Sequence, residues 1–164
     1  VLDAMLKGWF GGAAALLGAD PPRWWPEERR YTFELRRAQL HDHPDHLPWL
    51  LRAMVTRVQP GEVVGQIGFH APPDPDGMVE IGYMVFADYR RRGYAEEAVG
   101  TMIAWAASVP AVTTVRASVA PDNRPSLNLV AKLGFIQIGT QMDQIDGPEL
   151  VFEREVEPGE RPAS

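Results

Sequence analysis

The feature that most constrains this chain lies at its middle, where three patterns follow one another. An alternating strand pattern, Val79 to Phe86, leads into the basic turn Arg90-Arg91-Arg92-Gly93, and a helical pattern runs from Ala95 to Ala106. In the strand, Val79, Ile81, Tyr83 and Val85 share one face, and Glu80, Gly82 and Met84 share the other. Ala95, Val99, Met102, Ile103 and Ala106 fall at i, i+4, i+7, i+8 and i+11, which makes one apolar stripe. A strand that delivers a basic, glycine-containing turn to a helix start is predicted to hold an anion. The unpaired N–H groups of a first helical turn point at such a ligand, and the helix dipole favours negative charge there. Gly93 has no Cβ, so the backbone can approach a pyrophosphate closely. The arginines add charge and planar donor forks.

The remaining patterns predict an α/β layout around a mixed sheet. Val1 to Leu17 reads as helix interrupted by Gly8, Gly11 and Gly12, and Glu27 to Leu40 as a helix entered at Pro26. Strands are predicted over Trp49 to Val58 and Glu62 to His70, joined by a Pro60-Gly61 turn, and over Val112 to Val119. Ser126 to Leu133 reads as a short helix stopped by Gly134. Phe135 to Met142 and Glu149 to Val156 read as a final strand pair. Residues 1–156 are expected to form one domain, and 157–164 a polar, proline-rich flexible tail.

Composition narrows the class. The chain has 164 residues, is 45% hydrophobic and 23% charged, which is ordinary for a globular domain. The lack of cysteine excludes a disulfide framework, a thiolate zinc site and a cysteine nucleophile. A net charge of −6 argues against a general nucleic-acid binder and is compatible with a cationic acceptor. No apolar run approaches the ~18 residues needed to span a bilayer, and no signal peptide is legible in Val1 to Ala19. A cytoplasmic protein without membrane or nucleic-acid partners is expected.

Tyr89-Arg90-Arg91-Arg92-Gly93-Tyr94-Ala95 resembles the acyl-CoA-binding signature [RQ]-x-x-G-x-[GA] of the GNAT N-acetyltransferase superfamily, with Arg90, Gly93 and Ala95 at the specified positions. Asn123-Arg124-Pro125-Ser126, followed by Lys132-Leu133-Gly134-Phe135, is similar to the N-x-x-S…K-L-G-F motif of the RimJ/RimL-like branch, which acetylates ribosomal-protein N-termini. The two motifs stand in the family's order and at about its spacing, and the resemblance runs from roughly Val63 to Phe152. It implies the GNAT acyl-CoA N-acyltransferase fold, splayed at the cofactor site, with acetyl-CoA as co-substrate, no metal, an amine acceptor and a homodimer among the outcomes. One departure is legible. The fold usually opens with a strand before its first helix, whereas here no such strand is evident and the chain starts with Val1 rather than Met. Either the N-terminus is truncated or that strand is absent.

Acetyl transfer from a thioester to an amine needs an anchored cofactor, removal of a proton from the ammonium, donors for the oxyanion and stabilisation of the thiolate. Anchoring falls to Arg90, Arg91, Arg92, Gly93, Tyr94 and Ala95, chiefly through their backbone amides in the family pattern. The resemblance implies that backbone groups of Tyr83, Met84 and Val85 meet the cofactor where the strand bulges away from its neighbour, against a plain buried strand. Ser126 is the candidate for protonating the thiolate, against an ordinary role as helix cap, and Asn123 is a candidate cofactor contact, against the same alternative. Glu80 is the candidate base, against an ordinary strand carboxylate, with His70 or a water as the other choices.

Three further features have competing readings. His41-Asp42-His43-Pro44-Asp45-His46 has the composition of a metal site, but Pro44 breaks any regular element, and a polar loop is expected. Trp24, Trp25 and Trp49 either line an acceptor pocket or fill the core. Gly65-Gln66-Ile67-Gly68 evokes a dinucleotide-binding oxidoreductase, yet the G-x-G-x-x-G spacing is missing. The expected function is acetyl-CoA-dependent N-acetylation of a primary amine by direct attack. The alternative is a non-catalytic acyl-CoA-binding module that keeps the turn and lacks a working base.

Overall fold

The computed structural model describes residues 1–58, 60–145 and 147–157. Helices α1 (Leu2–Leu6) and α2 (Phe10–Leu17) break at Gly8, whose φ of 71° lies in the left-handed region. Gly11 and Gly12 are accommodated inside α2. A two-residue strand, β1 (Ala19–Asp20), precedes α3 (Trp25–Glu28) and α4 (Arg30–Asp42), which break at Arg29. The predicted single helix over Glu27 to Leu40 is therefore two. Strands β2 (Arg52–Val55), β3 (Gly61–Phe69) and β4 (Met78–Val85) lead to α5 (Tyr94–Ala107), β5 (Thr114–Val119), α6 (Arg124–Lys132), β6 (Ile136–Asp143) and β7 (Gly147–Glu155). The expected tail falls almost wholly outside the described residues.

The strands form a seven-stranded mixed sheet ordered β1-β3-β4-β5-β7-β6, with β2 also paired to β3. This is the α/β architecture that the patterns predicted. Helices pack on both faces, so each face has its own core. One joins Val79 and Ile81 of β4, Val115, Ala117 and Val119 of β5, Val99, Met102, Ile103 and Ala106 of α5, and Val130 of α6. The other joins Met5, Ala13, Trp25, Phe33, Val63 and Phe86. The period of two along β4 sorts its side chains between them: Tyr83 and Val85 pack on the first core and Met84 on the second.

One topological fact positions everything that follows. Strands β4 and β5 run parallel and pair only at Met78↔Thr114, Val79↔Val115 and Glu80↔Arg116. Beyond Glu80, β4 stays with β3 as far as Gly65↔Val85. Beyond Arg116, β5 stays with β7 as far as Val119↔Leu150. The sheet therefore opens like a V between two neighbouring strands that both continue. The expected bulge in β4 is not what separates them, because its register against β3 runs without a shift from Phe69↔Ile81 to Gly65↔Val85.

Candidate active site

A cleft of about 830 Å³ occupies the V and has Gly82, Tyr83, Met84, Ser118, Asn123 and Ser126 among its lining residues. Helices α3 and α4 wall one side through Arg29, Thr32 and Arg36, and the β6–β7 hairpin closes the other through Gln141, Asp143 and Glu149. Arg36 holds the helical wall in place. It is buried, and its Nη1 donates to the His70 carbonyl oxygen at 2.8 Å and to Gln39 Oε1 at 2.7 Å. Gln39 Nε2 donates to the same carbonyl at 3.1 Å. Burial lowers the Arg36 pKa from its ordinary value, with the nearby Tyr31 opposing.

The ladder alternates, and this decides which amides of β4 are available in the gap. In an antiparallel pair every second residue directs both its N–H and its C=O at the partner. Phe86 N donates to the Val64 carbonyl and His70 N to the Glu80 carbonyl, so Glu80, Gly82, Met84 and Phe86 face β3. Tyr83 and Val85 therefore direct their backbone groups into the gap. Consistent with this, the Val85 carbonyl accepts from Arg90 Nε at 3.1 Å. Of the three residues expected to offer backbone groups there, Met84 does not, because its backbone groups pair with β3.

Glu80 sits at the vertex, where the two strands part. Its Oε1 accepts from Ser118 Oγ at 2.6 Å, and its Oε2 lies 3.9 Å from His70 Nδ1. Ser118 Oγ in turn accepts from Gln141 Nε2 at 3.0 Å, and Gln141 Nε2 also donates to Glu149 Oε2 at 2.9 Å. A polar chain thus crosses the cleft floor from β7 to the end of β3. Both base candidates belong to it. Gly82 makes room for one of them, since a Cβ there would stand 2.8 Å from His70 Nε2. Ser118, Gln141 and Glu149 were not anticipated. The alternation of Val115, Ala117 and Val119 does put Ser118 on the opposite face of β5, but only the register places it beside Glu80.

Ser126 lies at the other wall, at the start of α6. Asn123 is the cap of that helix: its Oδ1 accepts from Ser126 N at 3.2 Å. The capping alternative is thus the one realised for Asn123 and not for Ser126, whose hydroxyl does no capping. Tyr83 presents a fully buried hydroxyl without a hydrogen bond of ordinary geometry. Burial pushes its pKa up, and Ser126, close enough to act on it, pulls the other way. The Nε of Arg29 is likewise buried and without a hydrogen bond.

The basic turn lies past the end of β4, outside the cleft proper. Arg91, with φ of 60°, and Gly93, with φ of 85°, both occupy the left-handed region, and Gly93 caps α5 without any side-chain cap. A Cβ added at Gly93 would meet nothing within 4 Å, so the space in front of the helix start is open. Two carboxylates in the first turn would oppose an anion, but each has a cation. Glu96 pairs with Lys132 at 2.7 Å and Glu97 with Arg57 at 3.2 Å. Arg92 lies over the Tyr89 ring at 5.5 Å. The donor-rich turn, the unfilled space and the compensated carboxylates fit a pyrophosphate.

The other candidates resolve plainly. Trp25 is buried in the core and donates to Gln66 Oε1 at 2.6 Å, while Trp49, partly buried, packs edge-on against Phe69 and Trp105 at the margin of the other core. Trp24 rests on Phe86. Gly65 to Gly68 lies within β3, paired on both sides, rather than in a turn before a helix, which removes the basis of the oxidoreductase reading. His43, Asp45 and His46 do converge on an exposed turn, with potential ligand atoms within 4.8 Å of one another and the two rings stacked; His41 is not among them. Among the described residues no helix is long and apolar enough to cross a membrane.

Comparison with known proteins agrees with this geometry. The chain is 43% identical over 75 residues to the uncharacterized N-acetyltransferase YjdG of Bacillus subtilis, covering 46% of this chain and 45% of that protein. It spans about half the length of the curated relatives it matches. The fold superposes on the ribosomal-protein-S5-alanine acetyltransferase of Vibrio fischeri with a TM-score of 0.61 at 18% identity, covering 77% of this chain and 70% of that one. It also superposes on the microcin C7 self-immunity acetyltransferase MccE, solved with acetyl-CoA and AMP, with a TM-score of 0.63 at 14% identity, covering 79% and 71%. The acetyltransferase (GNAT) domain pattern matches residues 13–136, most of the chain, and with the splayed strands and the open helix start it identifies the protein as a member of the GNAT acetyltransferase family.

Proposed function

We propose that this chain transfers the acetyl group of acetyl-CoA to a primary amine by direct attack in a ternary complex. The observation that carries the reading is the V between β4 and β5, which has a carboxylate at its vertex and a serine hydroxyl at its far wall. The pyrophosphate is held by the backbone of Arg90 to Ala95, with the arginines adding positive charge. Tyr83 and Val85 offer backbone groups to the pantetheine arm and the thioester oxygen. Glu80, with His70 beside it, takes a proton from the ammonium, and the freed amine attacks the thioester carbon. Ser126 gives a proton to the departing thiolate, while Asn123 fixes the helix start that carries it.

The acceptor is a protein N-terminus or a small-molecule amine, and its place is the half of the cleft between α4 and the β6–β7 hairpin. Glu80, Asp143 and Glu149 there favour a cation. A cytoplasmic location is part of this reading. So is pairing of two copies through β6, because Ile136, Ile138 and Met142 are exposed along that outer strand. A strictly monomeric mass by light scattering over the micromolar range would remove the dimer.

Calorimetric titration with acetyl-CoA tests the core of the proposal, with NADH and ATP as controls. Binding of acetyl-CoA alone is expected, and Gly93→Glu should abolish it by setting bulk and negative charge in the turn. A variant that binds as the parent does would show the cradle to be misplaced. Release of free thiol with members of an amine panel separates an enzyme from a binding module.

A further inference from the structure

A buried hydroxyl without a partner is costly, because nothing repays the water it gives up. Among the described residues two buried side-chain atoms are left in this condition, the Tyr83 hydroxyl and Arg29 Nε, and both residues line the cleft. Tyr83 is the more telling. Its ring packs on the same core as α5 and α6, and its hydroxyl ends close enough to Ser126 to interact, short of ordinary hydrogen-bond geometry. The Ser126 hydroxyl is not taken up by the helix cap, which Asn123 supplies through the Ser126 amide. Two hydroxyls from different elements are thus brought together at the wall opposite Glu80, and neither serves the fold there.

Phenol is a far stronger acid than an aliphatic alcohol. A serine that gives up its proton to a thiolate must be resupplied at once or the step reverses. We propose that Tyr83 is the proton source behind Ser126 and hands its own proton to Ser126 Oγ as the serine proton passes to the departing thiolate. The inference rests on the transferase reading above. As the C–S bond breaks, its electron pair stays on sulfur, sulfur takes the Ser126 proton, and Oγ takes the Tyr83 proton. The nitrogen sheds two protons on going from ammonium to amide. One equivalent returns to Tyr83 by way of Ser126 Oγ once the thiol has left, and the other leaves by way of Glu80. Tyr83 acts through Ser126 and need not touch the reacting atoms. A phenol is protonated across the neutral range at its ordinary pKa of ~10, and burial shifts this one further upward.

Tyr83→Phe removes one oxygen that the fold does not use, which separates this role from a structural one. The expected result is a melting temperature equal to or above the parent's, acetyl-CoA affinity and amine KM within about twofold, and kcat lowered about 10- to 100-fold. Ser126→Ala should be slow as well, and adding Tyr83→Phe to it should cost nothing further, because the two act in series. The parent's kcat should fall at high pH as Tyr83 loses its proton, and Tyr83→Phe should lack that limb. An active parent with Tyr83→Phe equally fast, or losses in the double variant that multiply, overturns the inference while the transferase reading stands. A parent that releases no CoA with any amine of the panel overturns both.

Discussion

Asn123 and Ser126 divide two tasks that a helix start often gives to one residue. Asn123 takes the Ser126 amide, and the serine hydroxyl is left for the cleft. Asn123→Ala should therefore lower the unfolding free energy by about 1 kcal/mol. Ser126→Ala should change stability by less than about 0.5 kcal/mol while slowing turnover; denaturant titrations beside thiol-release assays check the pair, and a large stability loss for Ser126→Ala would return the cap to serine. Gly82 offers a second test. Its missing Cβ is the space in which His70 approaches Glu80, with 2.8 Å to the imidazole. Since the His70 side chain is half exposed, Gly82→Ala should swing it outward rather than unfold the strand. Amine kcat/KM should fall and acetyl-CoA affinity should not, by kinetics against calorimetry; equal loss of both would mean that the strand itself had shifted. Glu80 was legible as a candidate from residue type and its place at the start of the strand, and Ser126 from its place in the N-x-x-S motif. Ser118, Gln141 and Glu149 were not, because a serine in β5 meets Glu80 only through the register of two strands 38 residues apart.

At the scale of elements, the cleft depends on α4 being held to the end of β3. Arg36 and Gln39, one turn apart on α4, both donate to the His70 carbonyl. Arg36→Leu should lower stability by about 2 kcal/mol, the usual worth of a hydrogen bond to a charged group, and should weaken amine KM more than acetyl-CoA binding as the helical wall loosens. Urea unfolding and steady-state kinetics read the two effects; an unchanged KM would show that α4 is held by its apolar face alone. The elements themselves were read well where one local rule governs them. The stripe from Ala95 to Ala106 became α5, and the alternation from Val79 became β4. Boundaries drifted where tertiary pairing intervenes. The strand expected over Trp49 to Val58 is confined to β2, Arg52–Val55, where the ladder with β3 also shifts register at Met54/Val55. The break at Arg29 and the two-residue β1 had no local signal.

For the whole molecule, the raised pKa of Tyr83 links stability to alkaline pH. The unfolded phenol titrates near pH ~10, and burial holds the folded one above that. Below the unfolded value both states keep the proton and the group contributes no slope. As pH rises from there through the folded value, the unfolded chain releases its proton first, so unfolding becomes easier. The parent should lose denaturant resistance over that window more steeply than Tyr83→Phe, by urea midpoints taken at successive pH values; parallel profiles would place the Tyr83 hydroxyl in water. Tyr89 is also shifted upward but titrates in both proteins and cancels from the comparison. The sequence alone determined the α/β class, the strand–turn–helix unit and the family motifs, because periodicity, glycine placement and charge act over a few neighbouring residues. The tertiary structure alone decided that β4 and β5 part at Glu80 and Arg116, that Tyr83 and Val85 rather than Met84 turn their amides into the gap, and that His70 and Ser118 gather around one carboxylate. Those outcomes depend on strand order and register, which long-range hydrogen bonding and the packing of two cores select together, and no local pattern encodes them.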